Sequence, residues 1–133
     1  MIIKLVKSGA SISDHLTQAI KKGGVSLPQF NVLRILRGQK GEPANLSTVQ
    51  ERMVNKMSNT SRLVDKLIEK DLVERKICEE NRRKIELFIT SKGLSLLKKL
   101  DPLIDNEEEK MTQNLTVKDR NQLMALLEKL NVN

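Results

Sequence analysis

The chain has 133 residues, 38% hydrophobic and 31% charged, which is the composition of one soluble globular domain able to bury a core without disulfides or metal. No unbroken apolar run exceeds the five residues from Leu123 to Leu127, so no segment can span a bilayer, and the single cysteine, Cys78, excludes an intrachain disulfide and suits a reducing cytosol. The net charge is +7, a balance that favours polyanionic partners such as nucleic acid.

Apolar spacing predicts helices through most of the sequence. Met1 to Lys7 is apolar but interrupted by Lys4 and Lys7, and it lacks the features of a signal peptide, so a cytoplasmic location is expected. A first, weak helix is predicted over about 12–22, with Ile12, Leu16, Ala19 and Ile20 on one face, ended by Gly23-Gly24. A second opens at Pro28, a favoured first-turn residue, and stops at Gly38. Gly41 and Pro43 mark a loop. A third is predicted to start near Ser47, where Ser47-Thr48-Val49-Gln50 has the capping-box pattern, and to bury Val49 and Met53 before Asn55 breaks it.

The fourth helix is predicted over about 56–70. Thr60, Leu63, Val64, Leu67 and Ile68 form its apolar stripe, while Ser58, Asn59, Ser61, Arg62, Asp65 and Lys66 fall on the opposite face. The period then changes. Residues 73–78 and 84–89 are short β-branched segments around the polar run Glu79-Glu80-Asn81-Arg82-Arg83, which reads as a β-hairpin with a charged tip. Thr90-Ser91 can cap a long helix to about Thr112, bent near Pro102, and Thr116 can cap a last one with Leu123, Leu126, Leu127 and Leu130 as its stripe. The expected fold is therefore mainly α with a small β-hairpin wing. Two short helices joined by a tight break and followed by a basic hairpin make a winged helix-turn-helix.

That order has a chemical reading. Charge is unevenly spread: residues 1–41 carry +6, residues 42–99 carry +4 and residues 100–133 carry −3. An α-helix fits the major groove of B-DNA, where base edges differ in donor and acceptor pattern. Ser58, Asn59 and Ser61 can donate and accept there, and Arg62 can bridge two acceptors on guanine. Lys56 and Lys66 flank them and are expected on phosphates, which position the protein without reading sequence. Arg82 and Arg83, with Lys84 beside them, would enter the narrow minor groove, where the potential is most negative. The bland alternative for each is a solvated surface charge. A winged-helix module that binds protein and not DNA is the rival function.

Three stretches resemble the MarR family of regulators: Leu27-Pro28-Gln29-Phe30-Asn31-Val32-Leu33, then Ser58 to Val73, then Asn81-Arg82-Arg83 through Ile89-Thr90-Ser91-Lys92-Gly93. The resemblance implies one domain over 1–133, with a winged-helix lobe over 27–90 and a helical dimerisation lobe from 1–26 and 91–133. It also implies a bacterial homodimeric repressor of a pseudo-palindromic double-stranded DNA site, released by a small-molecule effector. The leucine-rich terminal helices support the dimer independently. The family's wing acid is Asn81 here, which can offer only a neutral hydrogen bond, with Glu79 or Glu80 as candidate substitutes; Asp71 stands where a glycine is common.

Catalysis and cofactors are not expected. His15 is the only histidine, which nearly excludes His-based triads and zinc sites. Cys78 lies on a wing strand and reads as structural. Gly38-Gln39-Lys40-Gly41 is a turn and not a phosphate loop. With no Trp or Tyr and two Phe, stacking on single-stranded nucleic acid is not expected.

Overall fold

The computed structural model describes residues 1–132. Its elements run α1 (Ile2–Ile20), α2 (Leu27–Gly38), α3 (Leu46–Arg52), α4 (Thr60–Glu69), β1 (Val73–Ile77), β2 (Ile85–Ile89), α5 (Ser91–Met111) and α6 (Val117–Lys129). A 3₁₀ turn, Lys21–Gly23, ends α1, and Gly24 follows at φ 72°, a left-handed conformation natural to glycine.

α1 begins ten residues before the expected start. The segment Ser8-Gly9-Ala10-Ser11 has poor helix propensity, but it holds no proline, and a Cβ on Gly9 would meet nothing within 4 Å, so the helix runs through it. α5 likewise continues across Pro102.

Local capping decides the other boundaries. The Ser26 hydroxyl accepts from Gln29 N–H while the Gln29 side chain accepts from Ser26 N–H, a complete capping box that starts α2. α3 is capped by Asn45, whose Oδ1 accepts from Thr48 N–H at 2.7 Å, and not by Ser47: an Asn two residues earlier reaches the orphan N–H first. α4 starts at Thr60, four residues later than expected, because Asn59 accepts from Arg62 N–H as its N-cap. Thr90 caps α5, and Thr116 with Asp119 forms a capping box on α6.

β1 and β2 pair antiparallel with Val73 opposite Ile89, Arg75 opposite Leu87 and Ile77 opposite Ile85. A third partner, marked by no local pattern, joins the hairpin: Ala44 exchanges both backbone hydrogen bonds with Leu87, at 3.1 and 2.7 Å, tying the loop before α3 to the hairpin. Val32, Leu33 and Leu36 of α2, Val49 of α3, Val64 and Leu67 of α4, and Leu87 of β2 form the core under the hairpin and α4, continued by Leu97 and Leu100 of α5.

One junction fixes the exit of α4 against the start of α5. Asp71 sits at φ 60°, as its tolerance of the left-handed region allows. Its carbonyl accepts from Thr90 Oγ1 at 2.6 Å, and Leu72 O accepts from Thr90 N–H at 3.1 Å. A Cβ on Gly93 would stand 2.4 Å from Leu72 O, which is why glycine occupies that place.

α1 lies against α5, yet Ile2, Ile3 and Val6 are each more than 60% exposed. α6 buries no residue at all; Leu123, Met124, Leu126 and Leu127 all face outward.

Candidate DNA interface

α3, a short turn and α4 form the helix-turn-helix, and two side chains and one backbone hydrogen bond hold the turn. Asn31 of α2 accepts from Val54 N–H through Oδ1 at 2.8 Å. The Gln50 amide donates to the carbonyl of Lys56 and, at 3.4 Å, to that of Ser58. Ser58 N–H donates to Asn55 O at 3.1 Å, closing a turn over Asn55–Ser58. Lys56 therefore lies in this turn and not in the helix as expected.

The apolar stripe of α4 faces inward as its spacing requires: Thr60, Val64 and Leu67 are buried, and Leu63 and Ile68 half-buried. Asn59, Ser61, Arg62 and Lys66 are exposed and Ser58 is half-buried; Ser58, Asn59, Arg62 and Lys66 border an open groove of about 550 Å³ between α4 and the start of α2, whereas Ser61 lies toward the hairpin with Asp65 and Arg75. Capping occupies the Asn59 oxygen and leaves its amide donors outward. Asp65, on the same outer face, is held by Arg75 of β1. That pair removes a negative charge from the face of α4 and links the helix to the hairpin, a contact between residues ten apart that no local pattern in the sequence marks.

The hairpin tip is a second turn. Lys84 N–H donates to Asn81 O at 2.9 Å, and Arg83 N–H donates to Asn81 Oδ1 at 3.1 Å. Asn at the first position of such a turn closes it with its own side chain, so Arg82 and Arg83 occupy the two central, outermost positions. The Asn81 side chain thus organises the Arg83 backbone and not its guanidinium. Neither Glu79 nor Glu80 pairs with a wing arginine among the described residues: the ion pairs there are Arg37–Asp101, Arg75–Asp65, Lys76–Glu74 and Lys110–Glu107. Lys56, Arg62, Lys66, Arg82, Arg83 and Lys84 accordingly face solvent without a carboxylate within 4.0 Å.

Sequence reasoning missed two exposed apolar residues, Val54 and Met57, in the turn that precedes α4. Their only signal was negative, since neither belongs to a helical stripe. It also missed the Arg37–Asp101 pair, at 2.6 Å, which bolts α2 to α5 across 64 residues of chain. Among the described residues no group of three His, Cys, Asp or Glu side chains is placed to hold a metal ion, and no helix is long and apolar enough to cross a membrane.

Residues 25–85 match the model of the MarR family. Over all 133 residues the chain is 28% identical to the HTH-type transcriptional regulator MhqR of Bacillus subtilis, spanning 90% of it. It is 22% identical to the transcriptional repressor MprA of Escherichia coli K12, over 91% of this chain and 69% of MprA. Among solved structures, Bordetella bronchiseptica BpsR, whose DNA binding is regulated by 6-hydroxynicotinic acid, matches with a TM-score of 0.88 at 20% identity, over 100% of this chain and 94% of its own. MarR from E. coli in its apo form gives 0.79 at 20% identity, over 97% and 95%. The chain is thus similar to the MarR family over residues 25–85, and it shares the fold of the solved MarR-type structures over nearly its whole length.

Proposed function

We propose that the protein is a sequence-specific regulator of transcription that binds double-stranded DNA as a homodimer, acting as a repressor released by a small-molecule effector. The observation that carries this reading is the pairing of two cationic displays on one fold. An exposed polar face on α4 holds Arg62 and Lys66 without a carboxylate partner, and a tight turn projects Arg82 and Arg83 beside Lys84. Such a face suits the donor and acceptor code of the major groove, and such a tip suits the minor groove.

Homodimerisation is supported by α6. A 13-residue helix is marginal alone in water, and this one has no buried residue of its own. Each apolar side chain that a partner covers contributes roughly 1.5–3 kcal/mol, so the outward residues of α1 and α6 amount to one half of an apolar interface. A two-fold axis there would set the two α4 helices about 34–36 Å apart, one turn of DNA. The effector rests on the likeness to the MarR family and to proteins such as BpsR. A cytoplasmic location and the absence of enzymatic activity follow from the same reading.

Selection of bound duplexes from a random pool, followed by titration of the recovered site across salt, tests the proposal. The expected result is a two-fold symmetric motif whose affinity falls about 10³–10⁵-fold between 50 and 200 mM salt, as six to ten phosphate contacts require. A protein-binding module without DNA activity would recover no motif and show no such slope.

A further inference from the structure

The turn between α3 and α4 displays two apolar side chains that the fold does not use. Val54 is 91% exposed and Met57 92%, more than Met1 at the chain end, which is 87% exposed. This is not a loose loop. Val54 N–H is held by Asn31, Met57 N–H donates to Asn55 Oδ1 at 3.0 Å, and the Gln50 amide holds the carbonyl of Lys56. The Asn55–Ser58 turn sets Lys56 and Met57 at its two central positions, so the Met57 side chain points away from the protein on a fixed backbone.

The surroundings identify what such a pair would meet. Lys56 lies beside Met57, and Arg62 follows one turn into α4; neither has a carboxylate partner among the described residues. An apolar tip within a cationic rim is poorly matched to a second copy of itself, because the rims repel. It is well matched to DNA, whose phosphates take the cations and whose major-groove floor presents one apolar group, the 5-methyl of thymine.

We propose that Val54 and Met57 are specificity-determining residues that pack against thymine 5-methyl groups, so that each half-site carries thymine where the start of α4 meets the groove. This rests on the DNA-binding reading above, and it adds an apolar component to recognition that hydrogen bonding does not supply.

Deoxyuridine differs from thymidine by that methyl alone, which makes the test direct. Duplexes carrying the selected site are prepared with each thymine replaced in turn by deoxyuridine and titrated with the wild-type protein, Val54→Ala and Met57→Ala. At the thymines facing the turn the replacement should weaken wild-type binding roughly three- to fivefold, the value of one buried carbon. Met57→Ala or Val54→Ala should weaken binding to the thymine duplex by several-fold and abolish the thymine–deoxyuridine difference at its own position. The melting temperature should not move, since both side chains are exposed. Indifference to every replacement, or full discrimination retained by both variants, overturns the proposal while leaving DNA binding intact. Failure to recover any duplex overturns the DNA-binding reading and this inference with it.

Discussion

The stretch from α2 to β2 and the terminal helices α1 and α6 are built from similar apolar residues but put to opposite use. In the first, Val32, Leu33, Val49 and Leu67 are fully buried, and each helix opens with a side-chain cap. In the second, Ile3 stays 71% and Met124 60% exposed, and α6 buries none of its own residues. The same apolar periodicity therefore marks a closed core in one place and an open face in the other. What separates them is whether the chain supplies the covering element itself.

The widest test of that contrast is to charge the open face. Leu126→Glu with Leu127→Glu should yield a monomer in sedimentation velocity while the α2–β2 core stays folded, and site binding should drop by on the order of 10²–10⁴, the loss of linking two half-site contacts. A variant still dimeric would show that α6 faces solvent in the working protein. At the closed core, Gly93→Ala pushes a methyl into the Leu72 carbonyl and should cost about 2–3 kcal/mol in denaturant unfolding; an unchanged midpoint would mean that the α4–α5 junction yields easily. Truncation of the displayed cations sharpens the distinction between folding and binding. Arg62→Ala or Arg83→Ala should each weaken DNA binding by about 1–3 kcal/mol without moving the unfolding midpoint. The smallest effect is expected from Arg75→Ala: an ion pair as exposed as Arg75–Asp65 contributes at most about 1 kcal/mol to stability, although freeing Asp65 should also weaken DNA binding.

The elements whose pattern is local were legible in the sequence. The α4 stripe, the hairpin with Arg82 and Arg83 at its tip, and the Thr90 and Thr116 caps all follow from spacings of two to four residues. Other features depend on which of two local options wins, or on distant partners. Asn59 reads equally as a helix residue or as a cap, and Thr60 became the first helical residue only because Asn59 took the Arg62 N–H. Ala44 pairs with Leu87 and Asp65 with Arg75 because the folded chain brings them together. Met57 escaped notice for the opposite reason, since a residue with no contact inside the protein leaves no periodicity to read.

Joint measurement of stoichiometry and spacing on the selected duplex reaches the heart of the proposed mechanism. Two chains per duplex are expected, protecting two half-sites centred about 10–10.5 base pairs apart, as paired recognition helices on a two-fold axis require. One chain per duplex, or a protected site without two-fold symmetry, would contradict it.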